Sequence, residues 1–402
     1  MSFADAQTVL ATVGKVPNPV ALAYDSSKGE MFVADYQDNT VLVISDATNS
    51  VVATIAVRTD PFALAYDSSK GEVFVANNGN STVSVIADAN NSVVATVAVG
   101  SGPIALAYDS SKGEVFVANH NDNTVSIISD ATDSVVKTLS VGVSGIFQTY
   151  TPRALAYDSS RGEVFVANFA NGTLSVISDV NNSIVATVHL TSPESGAGNG
   201  LKFAGTEPIA LAYDSSKGEV FVANDDGSAV SVISDANNSV VAAMLVGTGP
   251  VAVGYDSSNG DVFVANSQDN TVSVVSDANN SVVATVPVGK GPFAVAYDSS
   301  KDEVFVANVD GNTVSVIGAS PSSTTTTPSS SSTSTTTSST PSSTATSTSD
   351  SVVSSAAKAP AVNSNVVAFA AVDVAILVGL VTAIALDVRR RRRRAAPANA
   401  AT

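Results

Sequence analysis

The sequence predicts an all-β fold: a seven-bladed β-propeller closed by an N-terminal strand, followed by a disordered stalk and one transmembrane helix. Three observations carry the propeller. Tyr-Asp pairs recur at Tyr24, Tyr66, Tyr108, Tyr157, Tyr213, Tyr255 and Tyr297, at spacings of 42, 42, 49, 56, 42 and 42 residues. Seven units of one basic length result, with insertions of 7 and 14 residues. Each unit then holds four β-type runs. Finally, the last unit stops after three runs, while the chain opens on a copy of the missing fourth.

In the second unit the four runs are "FALAYD", "EVFVAN", "TVSVIAD" and "SVVATVAV", separated by "SSKG", "NGNS" and "ANN". Val, Ile, Phe and Thr dominate the runs, and Gly, Asn, Asp and Ser fill the gaps, as antiparallel hairpins require. The near-continuous apolar "VFVA" predicts a strand buried on both faces. Four antiparallel strands in about 42 residues is the size of a propeller blade. The last unit ends after "NTVSVIGAS" (Asn312 to Ser320), and "TVLATV" (Thr8 to Val13) matches the fourth-strand text "SVVATV". Pairing the two ends closes the ring and removes an exposed edge, which an open array would not need.

These runs, with "NTVSVI", "VFVAN", "VVATV" and the "VG-x-x-P" before each new blade, resemble the YVTN-type β-propeller repeat of archaeal surface-layer and cell-surface proteins. The resemblance covers about residues 8–318. Here "VFVAN" replaces the name-giving "YVTN", and "YDSSKGE" replaces the usual Pro-Asp-Gly turn. It implies a propeller displayed at a cell surface and leaves the ligand open.

The remaining chain divides by composition. Residues 1–318 form the propeller, 319–364 a Ser/Thr/Pro-rich stalk, 365–388 a transmembrane helix and 389–402 an Arg-rich cytoplasmic tail. Of the 30 residues 321–350, 25 are Ser or Thr and three are Pro, so they cannot bury a core. Val366 to Leu386 gives 21 mostly apolar residues, long enough to span a bilayer despite Asp373. Arg389 to Arg394 follow directly and read as a stop-transfer anchor, which leaves the propeller outside the cell. The opening "MSFADAQTVL" has no basic or apolar leader. A misplaced start is the expectation there, rather than an inward-facing propeller.

Composition excludes several chemistries. There is no Cys, hence no disulfide and no thiolate metal site. The two His, His120 and His189, make a histidine metal site or a Ser/His triad a poor expectation. Residues 1–318 hold 12 Lys+Arg against 33 Asp+Glu, so 12 − 33 = −21, and this body repels nucleic acid. No cofactor, resident metal or catalytic residue is expected. Calcium is a lesser expectation, because "NHNDN" (Asn119 to Asn123) and "NVDGN" (Asn308 to Asn312) alternate oxygen ligands. Neither completes a calcium loop, and both also read as turns.

Sorting the copies by face locates a candidate site. On one face every unit reads "DSSKG" or a near variant, the last with Asp302 for the turn Gly, as a turn tolerates. On the other face the units differ, and both insertions fall there. The insertions add Phe147, Tyr150, Arg153, Lys202 and Phe203, while neighbouring loops add His120, Phe169, Asp225 and Asp226. These nine are the binding-face candidates, for a protein or glycan ligand. Asn80, Asn90, Asn171, Asn181, Asn237 and Asn279 head Asn-x-Ser/Thr sequons and are N-glycosylation candidates, though Asn is also a common turn residue. The expected function is a non-enzymatic binding or adhesion module. A structural surface-layer component is the alternative, and a lactonase-like enzyme a more distant one.

Overall fold

The computed structural model describes residues 7–141, 152–190, 207–225 and 227–319. The expected stalk, transmembrane helix and tail lie outside these residues. Among the described residues no helix is long and apolar enough to cross a membrane.

The described residues form seven four-stranded antiparallel sheets, six of them in simple sequence order. In the second blade the strands are Pro61–Asp67, Glu72–Asn77, Thr82–Ala87 and Ser92–Ala98, matching the four runs read from the sequence. The seventh sheet is completed by the N-terminal strand Gln7–Gly14, which pairs antiparallel with Thr313–Ala319. The first strands pack against one another around the ring, including that of blade seven against that of blade one. The fold is a closed seven-bladed propeller.

Burial falls from the axis outward. The first strands are buried along nearly their whole length, with Pro61–Asp67 having no exposed residue. The second strands carry the main packing load. Phe32, Phe74, Phe116, Phe165, Phe221, Phe263 and Phe305 occupy one position in successive blades, none more than 2% exposed. Each such burial contributes about 1.5–3 kcal/mol, so the core is a ring of repeated inter-blade contacts. The fourth strands form the rim and are largely exposed.

Every rim strand also carries a β-bulge at the same place. In blade two, Val85 faces Ala95 and Ile86 faces Val93, leaving Val94 unpaired. The same shift leaves Val52, Val136, Val185, Val241, Val283 and Leu10 out of register. These strands are poor in charge, and a bulge twists an edge away from pairing with another sheet.

The repeated "YDSSKG" stretch is a latch between blades. Within blade one, Asp25 Oδ1 accepts from the Ser27 amide and hydroxyl at 2.8 and 2.7 Å, and the Gly29 amide donates to Asp25 O at 3.0 Å. Across the boundary, Tyr66 of blade two donates to Ser27 Oγ at 3.2 Å, and Lys28 reaches the carbonyl and carboxylate of Asp88. Lys70, Lys112, Lys217 and Lys301 repeat that reach at other boundaries. Arg161 instead pairs with Glu163 at 3.3 Å. The turn glycine is needed twice over. Gly113 has φ +65°, and a Cβ there would lie 2.5 Å from Asp130 Oδ1.

Asp302 departs from the expectation that it is merely tolerated. Blade seven ends in Ala319, where the other blades place an aspartate after the third strand. The Asp302 carboxylate takes over that role. It accepts from Ser258 Oγ at 2.8 Å, Tyr297 OH at 3.0 Å and Asn259 Nδ2 at 3.1 Å. Burial pushes this carboxyl up, but those hydrogen bonds outweigh it and hold it below its ordinary value. Asn259 stands where other copies carry Lys or Arg, and so the change spans three positions.

Candidate functional site on the variable face

The variable face is built from the loops after each second strand and the links into each first strand. A buried polar link sets the loops in place. In six blades an Asn ends the second strand and donates from Nδ2 to the Ser of the third strand, as Asn77 does to Ser84 Oγ at 2.9 Å. Blade one carries Asp35 and Leu42 at these two positions, and Asp35 caps the Gln37 and Asp38 amides instead. The residue after this Asn ties its amide to the link, as His120 N does to Gly102 O and Asp225 N to Glu207 O. Its side chain is thereby held at the blade boundary, where the seven copies differ most. Tyr36 of blade one, for example, packs edge-on against Phe62 of blade two at 6.0 Å.

Blades three, four and five bring four of the predicted residues together. Arg153 occupies the second position of its first strand, where the other blades have Val20, Phe62, Ile104, Ile209, Val251 and Phe293. It is 3% exposed. Its guanidinium lies 4.3 Å from the centroid of the Phe169 ring, a cation–π distance. Burial lowers its pKa to about 10, and the charges of Asp225 and Glu207 in blade five act against that shift. It remains a cation at neutral pH. His120 of blade three donates from Nδ1 to Pro152 O at 3.2 Å. Burial, and then the Arg153 charge, push its imidazole down to about 4. It is a neutral hydrogen-bonding group at physiological pH, not a proton shuttle.

The other predicted residues divide cleanly. Phe147, Tyr150, Lys202, Phe203 and Asp226 lie outside the described residues. Glu207 was not among the candidates. It was legible, since it stands in a link position where most other copies carry Gly, Asn or Asp at positive φ.

The sequon asparagines are placed by turn chemistry. Asn90, Asn181, Asn237 and Asn279 are exposed, and each accepts at Oδ1 from the hydroxyl of its own sequon serine at 2.7 Å. The residue that follows each one sits at positive φ, as Asn91 does at 54°. On the variable face Asn80 is exposed and Asn171 half-buried, each in a single 3-10 turn. The two candidate calcium stretches behave likewise. Asn119 and Asn308 hold third-strand hydroxyls, and Asn123 and Asn312 take φ of 55° and 52°. No group of three or more His, Cys, Asp or Glu able to hold a metal occurs among the described residues.

No protein-family model matches the chain, and no curated protein matches it in sequence. Among solved structures it is similar to Kuenenia stuttgartiensis hydrazine synthase, at a TM-score of 0.64 and 16% identity over 75% of this chain and 95% of that one. At that identity the likeness concerns the fold, and on structural grounds the chain is a seven-bladed β-propeller.

Proposed function

We propose that the chain is a cell-surface, membrane-anchored propeller that binds a protein or glycan through its variable face, in the manner of the YVTN-type surface proteins its repeats resemble. The observation that carries this reading is Arg153. A buried cation replaces an aliphatic or aromatic residue at one of seven equivalent positions, against an aromatic ring and opposite two acids of the next blade. Burying a guanidinium costs stability that the six apolar copies avoid. A residue that breaks a repeat's own rule at one boundary marks where a functional site is expected. The apolar segment Val366 to Leu386 and the arginines after it support anchoring, with the propeller outside and the tail inside.

The test is Arg153→Ile, which restores the residue type of the other blades. Purified protein is screened against a glycan array and intact cells, and the strongest binder is retested with the variant. A loss of about tenfold or more in affinity, with an unchanged circular dichroism spectrum, is expected. Undiminished binding, both here and after replacing 142–151 with Gly-Ser-Gly and 191–206 with Gly-Ser, which restores the 42-residue spacing, refutes the assignment. Protease shaving of intact cells checks the orientation.

One observation favours the second reading, a structural envelope component. Leu10, Val52, Val94, Val136, Val185, Val241 and Val283 are 42–54% exposed and place an aliphatic side chain on the rim of every blade. Self-assembly of the purified protein into ordered arrays would support it.

A further inference from the structure

The latch face buries paired carboxylates at successive blade boundaries, and the donors around them fall short. The first boundary shows the arrangement. Asp25, fully buried, ends the first strand of blade one, and Asp88, 8% exposed, follows the third strand of blade two. Between them stand the Ser27 and Tyr66 hydroxyls. Ser27 donates to Asp25 Oδ1 at 2.7 Å, and Tyr66 lies 3.4 Å from Asp88 Oδ2. Asp25 Oδ2 is buried with no hydrogen-bond partner among the described residues. The other charges facing the pair are Lys28, 3.3 Å from Asp88 Oδ1, and the acid Glu30. One cation thus serves several carboxylates.

The pattern recurs at every boundary except that between blades six and seven, with Asp67, Asp109, Asp158, Asp214 and Asp298 each leaving Oδ2 buried without a partner among the described residues. At four of these boundaries one serine hydroxyl lies within 3.5 Å of both carboxylates: Ser111, Ser160, Ser216 and Ser300. A single hydroxyl proton shared between two acceptors satisfies neither fully. The boundary between blades six and seven is the internal contrast. There Asn259 Nδ2 donates to Asp256 Oδ2 at 3.1 Å, the oxygen left without a donor elsewhere, and also to Asp302. That boundary needs no extra proton.

We propose that the six boundaries other than that between blades six and seven are proton-binding sites. In acid each pair holds one proton between the carboxylate that ends a first strand and the one that follows the next blade's third strand, so acid tightens the ring. The proton comes from bulk water, supplies the missing donor and removes one buried negative charge. In support, Asp88, Asp130, Asp179, Asp235 and Asp277 all have raised pKa values, with burial the first cause and the facing aspartate adding to it. A carboxylate whose pKa is higher in the folded than in the unfolded chain takes up a proton on folding. Stability then rises as pH falls through the folded value. His120 pulls the other way across the same range, because its folded pKa lies below its unfolded one.

The test is denaturant unfolding of the full-length chain between pH 7.5 and pH 4.5, in salt high enough to screen the general negative charge. Each net proton taken up on folding raises the folding equilibrium constant about tenfold per pH unit. A rise as the pH falls is expected for the native chain. The variant Asp130→Asn, Asp235→Asn leaves His120 and the net surface field nearly intact. It is expected to be more stable than the native chain at pH 7.5 and to show a shallower pH slope. Infrared spectra are expected to show a protonated-carboxyl band that grows as the pH is lowered from 7.5 to 4.5, reduced in the variant. A flat or falling native profile overturns the proposal. So does a variant slope equal to the native one, or, if the variant fails to fold, a native chain without the band.

Discussion

Replacing Asp302 with glycine restores the residue that the other six blades carry, yet it is expected to destabilise the propeller. The substitution relieves a non-glycine residue at φ +60°, a gain of about 0.5–1 kcal/mol, since aspartate tolerates that region better than most residues. It also removes the acceptor for Ser258, Tyr297 and Asn259. Hydrogen bonds to a charged group contribute about 1.5–3 kcal/mol when buried. Ser258 and Asn259 are exposed, so their two bonds are discounted to a few tenths each, and the buried Tyr297 supplies most of the loss. The balance is a net loss of about 1–3 kcal/mol. Equilibrium unfolding in guanidinium chloride measures it. Adding Ala319→Asp, which restores the aspartate of the other blades, is expected to recover most of the loss. A single variant as stable as the native chain refutes the reasoning, as does a double variant no better than the single.

Three further outcomes follow from the same geometry. Gly113→Ala would place a methyl 2.5 Å from the Asp130 carboxylate at φ +65°, and a loss of about 2–3 kcal/mol is expected in the same unfolding assay. Deleting Val94 removes the bulge residue while leaving its neighbours paired as before, so blade two should fold but present a flatter edge; light scattering is expected to show increased self-association. His120, pushed down to about 4 by burial, is expected to keep its imidazole NMR shifts unchanged from pH 8 to pH 5. For this group acid favours the unfolded chain, which protonates near pH 6.5, so His120→Asn should remove a destabilising contribution between about pH 6.5 and pH 4.

The sequence alone determined the ring. Repeat length, alternating turn chemistry and the displaced fourth strand specify blade number and closure, because each is a local pattern copied seven times and copies must share a conformation. It also separated the two faces, since sameness within one chain needs no structure to be seen. Only the tertiary structure decided what faces what. Lys28 and Asp88 are sixty residues apart and meet because blades twist past one another. Arg153 reads as one more loop residue until packing puts it over Phe169 and opposite blade five. Asp302, Asn259 and Ala319 look like three unrelated departures along the chain. They become one change when the last blade is closed, because a hydrogen bond depends on distance in space, and sequence records only distance along the chain.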